Sequence, residues 1–339
     1  MIGEYTLLML CQKYNIDSSK MVNKNNNILS YGDYNEIDKT LNYLINELKI
    51  SQTNIEKCPS ILYKNIESIK DNISFLKKSD IHFSNVESCL HVLNSEPNNL
   101  VETYNYIKDN YGINCINKNT SVLAATVDLI TYVEELNLPI HKNGNLTIAA
   151  SLNWRSTNKE ELEKIINSEE YRLHPELFTS ETLAHAKLED IQKIINSEEF
   201  KRHPELFTST TLAQAKLEDI RKLIQLDEYK THPEIFTSSI IAKAKSIINK
   251  IPLLFELSRK YGIEDYINST FLLFSPSQNY ALINYLIDNN IPLIIDEKLN
   301  PIFGKQPGIL KKKYNIDIKE LIKLYPYEIE KKGVIQKWI

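Results

Sequence analysis

Three near-identical consecutive segments constrain the fold of this chain more than any other feature. IINSEEYRLHPELFTSETLAHAKLEDIQK begins at Ile165, IINSEEFKRHPELFTSTTLAQAKLEDIRK at Ile194 and LIQLDEYKTHPEIFTSSIIAKAKSIINK at Leu223, a period of 29 residues without a gap. His174, His203 and His232 coincide, as do Pro175, Pro204 and Pro233, and Phe178, Phe207 and Phe236. A unit this small cannot bury an apolar face alone, so such units must stack on one another.

Each unit reads as helix, break, helix. Ser168 and Ser197 are N-cap residues followed by acids that suit a helix start. The His-Pro step then ends the short helix, because proline disfavours helical geometry before it and lacks an N–H. Phe178, Thr179 and Leu183 have the spacing of a hydrophobic staple around a threonine cap, repeated at Phe207/Thr208/Leu212 and Phe236/Thr237/Ile241. Leu183, Ala184, Leu188, Ile191 and Ile195 then follow the spacing of one face of a single longer helix.

A looser form of the unit extends beyond the repeats. Pro-x-x-[Leu/Phe] occurs at Pro59/Leu62, Pro97/Leu100, Pro175/Phe178, Pro204/Phe207, Pro233/Phe236, Pro252/Phe255 and Pro307/Leu310, seven of the 12 prolines. Leu76, Ile81, Val92, Leu93, Pro97 and Leu100 share their mutual spacings with Leu286, Ile291, Ile302, Phe303, Pro307 and Leu310. The expected fold is all-α, a superhelical α-solenoid over about residues 35–330. Its divisions are an N-terminal segment with a polar arm (1–35), a first helical-repeat block (36–157), the three regular repeats (158–250) and a C-terminal block with cap (251–339). Residues 17–35 read as a polar arm before a first helix at about Ile37. Residues 137–158, with Pro139 and Gly144, read as a non-helical connector, and Tyr327–Ile339 as a capping end with Trp338 over the last unit.

The segments IEKCPSILYKNIESIKDNISFLKKSDI, VESCLHVLNSEPNNLVETYNYIKDNYGI and LNPIFGKQPGILKKKYNIDIKELI share an order: apolar residue, Pro-x-x-Leu, cap, apolar helix face, then a Gly-Ile or Asn-Ile turn. This order resembles the mitochondrial transcription termination factor repeat. The resemblance implies helix–3₁₀ turn–helix units in a superhelix, and a concave groove that in several family members binds double-stranded nucleic acid. The overall acidity and the short central period depart from that family.

Composition narrows the function classes. Only 8 glycines are present, and the closest pair is Gly304 and Gly308, so no phosphate-cradling glycine loop is possible. Cys11, Cys58, Cys89 and Cys115 are too far apart for a metal spacing and read as reduced thiols in a cytoplasmic setting. No apolar run is long enough to span a membrane. Nucleophile and metalloprotease motifs are absent, and neither cofactor nor metal is expected. The His-Pro-Glu triplets lie one repeat apart, too far to share a metal, and read as turn residues.

Repetition turns single cations into stripes. Lys164, Lys193 and Lys222 coincide, as do Arg172, Lys201 and Lys230, and Lys187, Lys216 and Lys245. With Arg202, Arg221 and the basic block at Lys305, Lys311, Lys312 and Lys313, these are the candidate nucleic-acid contacts, because stripes can track phosphates despite a net charge of −4. Acid stripes run alongside them, at Glu169/Glu198/Asp227, Glu170/Glu199/Glu228 and Glu176/Glu205/Glu234. The expected function is therefore non-catalytic binding of nucleic acid along a concave face. The alternative is a protein-binding scaffold, or a regulator that inhibits or tethers a partner protein. Tyr104, Tyr106, Tyr111, Tyr325 and Tyr327 are either base-stacking or packing residues.

Overall fold

The computed structural model describes residues 4–19, 21, 33–79, 81, 90–154, 159–331 and 334–338. Helix predominates, and the strands among the described residues form two short antiparallel hairpins, Ile294–Ile295 with Lys298–Leu299 and Tyr327–Lys331 with Val334–Trp338. Contacts divide the chain into two compact units, Met1–Lys164 with Thr179–Ala184, and Ile165–Phe178 with His185–Ile339. No helix among the described residues is long and apolar enough to cross a membrane.

The proline motif has one structural meaning with two outcomes. Pro59, Pro175, Pro204 and Pro233 each open a 3₁₀ turn, whereas Pro97 and Pro307 open the α-helices Pro97–Tyr111 and Pro307–Tyr314. The first position suits proline because its N–H would have no partner there. In either helix type the residue three on shares the proline's side of the backbone. All seven of these apolar residues are at most 4 % exposed.

A second signal ends the helices. Asn15, Lys49, Gly262, Asn290 and Asn315 are left-handed, with φ between 55 and 62°, and an isoleucine follows each. The N–H of that isoleucine bonds back over the last turn, as from Ile263 to Ser258 O at 2.9 Å and from Ile291 to Leu286 O at 2.8 Å. Ile16, Ile50, Ile263 and Ile316 are buried. The open carbonyls and the next apolar anchor are thus settled together. Ile81 bonds to Leu76 O at 3.1 Å as Ile291 does to Leu286 O, so the two distant segments matched by spacing also share this hydrogen bond.

In the exact repeats, Ser168 and Ser197 cap Glu169–Leu173 and Glu198–Arg202, accepting from Tyr171 N and Phe200 N at 3.1 Å each. Tyr171 packs edge-on against Phe178, Phe200 against Phe207 and Tyr229 against Phe236. The single longer helix of the sequence reading is in fact two. Ser180–His185 stops before Lys187, whose extended backbone (φ −111°, ψ 142°) starts Leu188–Ile195, and Lys216 does the same before Leu217–Ile224. Acid pairs Glu189/Asp190 and Glu218/Asp219 occupy the new first turns, where the helix dipole favours them. In the second unit, equivalent helices contact in succession: Leu188–Ile195 with Leu217–Ile224, that helix with Ala244–Ile247, and Ser209–Gln214 with Ser238–Ala242.

One further expectation is corrected. Lys142–Trp154 is a helix, not a connector, and Pro139 lies outside it. Gly144 sits in its first turn, where an added Cβ would approach Ile140 Cδ1 and Ser180 Cβ at 3.0 Å. The glycine there answers a close approach rather than a break. The chain end forms a hairpin in which Tyr327 pairs with Trp338, and the Tyr327 ring lies 5.0 Å from that of Tyr280. Most of the expected N-terminal arm lies outside the described residues; the helix after it is Tyr34–Asn42.

Candidate binding surfaces

Six of the nine stripe cations lie beside carboxylates. Arg172 pairs with Glu169 at 3.4 Å, Lys201 with Glu198 at 3.0 Å and Lys230 with Asp227 at 2.8 Å. Every member of the Arg172/Lys201/Lys230 stripe therefore has a carboxylate three residues upstream within its own short helix. Lys164 lies 3.9 Å from Glu161 and Lys193 2.6 Å from Glu189, while Lys216 reaches Asp190 of the preceding repeat at 3.1 Å. Arg221 makes a two-point contact with Glu199, at 2.9 and 3.3 Å, and Lys311 pairs with Asp317 at 2.9 Å. These bonds hold Glu199, Asp227 and Asp317 below the usual carboxylate range and raise Lys193, Arg221 and Lys311.

Lys187, Arg202, Lys222, Lys245, Lys312 and Lys313 are exposed and Lys305 half-buried, and among the described residues none of these seven has an acid partner. Lys187 and Lys245 share one position of the unit with the paired Lys216, Arg202 and Lys222 come from two others, and Lys305, Lys312 and Lys313 lie outside the three repeats. His174, His203 and His232 each face the glutamate two residues on, at 3.5–3.7 Å, and the His174 ring packs on Phe200 of the next repeat. No group of three metal-binding side chains gathers among the described residues. The tyrosines are engaged within the chain: Tyr106 and Tyr111 both donate to the Glu134 carboxylate, at 2.8 and 2.5 Å, Tyr104 packs edge-on against Phe75, and Tyr325 donates to Asp288 at the surface. Burial and the Glu134 charge push the Tyr111 hydroxyl well above its ordinary pKa.

Sequence reasoning missed a polar groove of about 500 Å³ in the first unit, lined by Ser60, His91, Asn94, Asn99, Thr126 and Asn153 among others. Successive turns supply these residues. Ser60 lies in the 3₁₀ turn Pro59–Tyr63, and Asn94 follows the helix Leu90–Leu93. Asn99 is in the first turn of Pro97–Tyr111, Thr126 caps Val127–Glu135, and Asn153 ends Lys142–Trp154. Asn94 Nδ2 donates to Ser60 Oγ at 3.3 Å and Asn153 Nδ2 to Ala124 O at 2.6 Å. The His91 Nδ1 atom lies 3.3 Å from the buried Cys58 Sγ. Neutral turn residues carry no charge pattern, and the 35 asparagines of the chain hide the few that converge. Compared with known proteins, the chain matches no family model and no curated protein.

Proposed function

We propose that the chain is a non-catalytic α-solenoid of units like the mitochondrial transcription termination factor repeat, and that it works by holding a partner protein. The recurrent proline-opened 3₁₀ turns, the left-handed residue before isoleucine and the helix-on-helix contacts of the exact repeats support the solenoid reading. The partner class rests on one observation: Arg172, Lys201 and Lys230 each lie within 3.4 Å of an acid in the same short helix. Affinity for a phosphate backbone comes from cations that displace condensed counterions, and a cation already paired contributes less. The stripe then serves solubility, as mixed charge on an exposed face does.

A nucleic-acid reading draws on the C-terminal helix Pro307–Tyr314, where Lys312 and Lys313 are exposed and, among the described residues, have no acid partner. On that eight-residue helix alone, two cations are a small footprint for a protein that would track a backbone; Lys187, Arg202, Lys222, Lys245 and Lys305 would have to add to it. The deciding experiment is affinity capture with the full chain, with and without nuclease. Partners retained at the same level after nuclease support the protein reading. Their loss on nuclease, with direct duplex binding that weakens steeply with salt, overturns it.

A further inference from the structure

The polar groove of the first unit is built in a way that specifies its ligand. Buried side chains hold the turns that line it. Asn72, fully buried, donates to Leu93 O and Ser95 O at 3.0 and 2.8 Å, and the fully buried Thr103 donates to Ala125 O at 3.1 Å. Ser95 and Ala125, whose carbonyls accept these bonds, both line the groove. The turns are therefore fixed before any ligand arrives, which lowers the ordering cost of binding.

The groups offered are neutral and two-sided. A carboxamide presents an acceptor oxygen and two N–H donors, the complement of a peptide group. Asn94 and Asn153 each use one donor on a neighbouring turn, to Ser60 Oγ and Ala124 O, which pins the side chain and leaves its remaining groups for a ligand. Asn99 is exposed and makes no side-chain hydrogen bond among the described residues. The one carboxylate on the lining, Glu96, is paired with Lys64, so the rim presents neither an unpaired acid nor an unpaired lysine or arginine. A phosphate would find no free lysine or arginine there. Small apolar ligands favour mostly apolar sites, which this is not.

On the protein-partner reading, we infer that this groove is a main-chain clamp for an extended, uncharged segment of the partner. Helices in contact lie about 8–10 Å apart, and an extended peptide advances about 3.3 Å per residue. Each successive turn therefore meets about every third peptide group. Asn94, Asn99 and Asn153 bind backbone N–H and C=O groups, and His91, at the groove wall, reads one side chain.

The test uses the full chain and a phage-displayed library of random linear peptides. Enriched sequences are synthesised with a fluorophore and their affinities measured by polarisation. Asn99→Ala lowers affinity by about 2- to 10-fold, the span of one neutral hydrogen bond, and Asn99→Arg lowers it further by filling the groove. Methylating single backbone nitrogens in the middle of the peptide weakens binding more than replacing the same residues by alanine. Asn99 is exposed on its helix, so both variants fold, which circular dichroism checks. Absence of enriched peptides, equal affinity for both variants, or an alanine scan that abolishes binding while N-methylation is silent overturns the clamp. Nuclease-resistant capture that survives Asn99→Arg unchanged rejects the clamp but keeps the protein reading. Capture that nuclease abolishes rejects the protein reading itself.

Discussion

The side chain of Asn72 and the backbone of Ser95 belong to different helical units, yet Asn72 Nδ2 donates to Ser95 O at 2.8 Å with no solvent exposure of the asparagine. The same lock recurs at Thr103 to Ala125 O and at Ser151 to Ala184 O, the latter at 2.6 Å. In each case a polar group on one helix satisfies the carbonyl that a later turn leaves open. The Asn72 Oδ1 atom has no partner among the described residues, and the bonds the residue makes there run through its donors. Asn72→Ala strands buried carbonyls and is expected to cost about 1–3 kcal/mol. Urea unfolding measures it, and a loss under about 0.5 kcal/mol would show that these carbonyls find other donors.

Phe207 is the counterpart in the apolar core of the repeats. It is 4 % exposed and packs edge-on against Phe200 with ring centres 5.4 Å apart. Phe207→Ala removes a buried ring and leaves a cavity, with an expected loss of about 3–5 kcal/mol. Phe207→Leu, which keeps most of the volume, should recover much of it in the same unfolding measurement.

Much of this architecture is legible in the residues. Seven proline motifs locate seven buried apolar side chains because an i, i+3 relation survives in both helix types. Ser168 and Ser197 announce two helix starts through their caps. The break at Lys187 escaped because Leu183, Leu188, Ile191 and Ile195 keep helical spacing across it. The acid pair Glu189/Asp190 was the sign of a second helix start. Gly144 misled for the opposite reason, a small residue demanded by a neighbour rather than by a turn. The polar groove stayed hidden because its residues are neutral and drawn from turns distant in sequence.

Acid stability gives a further test. The Arg221 bond holds Glu199 below its ordinary pKa, so the folded value lies under the unfolded one. Stabilisation of that sign is present above the unfolded carboxylate value, about 4.3 for glutamate, and fades as pH falls through the folded value. Arg221→Gln copies the Glu170–Gln192 contact of the preceding repeat, which spans 3.3 Å. The variant should be less stable than the parent at neutral pH, with the gap closing on acidification. Urea midpoints across pH measure this, and a gap unchanged in strong acid would assign the effect to packing.

The cysteines should differ in reactivity. Burial, with the Asp17 and Glu56 charges adding to it, pushes the Cys11 thiol up to about 11, and thiolate is the reactive form. Cys115 is only half-buried. Alkylation of the native chain at mildly alkaline pH, followed by peptide mapping, should label Cys115 well before Cys11, and denaturation should abolish the difference. Early labelling of Cys11 in the native chain would mean that its helix, Glu4–Tyr14, opens readily.

The paired cation stripe makes the sharpest prediction, since it can be unmasked without touching a cation. Glu198 and Asp227 each sit beside a lysine, at 3.0 and 2.8 Å, and both are exposed. Glu198→Gln with Asp227→Asn frees Lys201 and Lys230 while adding no new basic residue. Folding should change little, because exposed ion pairs contribute little. If pairing is what keeps this face from phosphates, the double variant gains affinity for duplex DNA of any sequence. The slope of log affinity against log salt should then steepen by about 0.9 for each freed contact. The reverse substitution, Lys201→Gln with Lys230→Gln, should leave the parent's weak duplex binding and its salt slope where they were. Fluorescence anisotropy of a labelled duplex across a salt series distinguishes the outcomes. A parent chain that already binds tightly, and loses nearly two units of slope with the lysines, would return the stripe to nucleic acid.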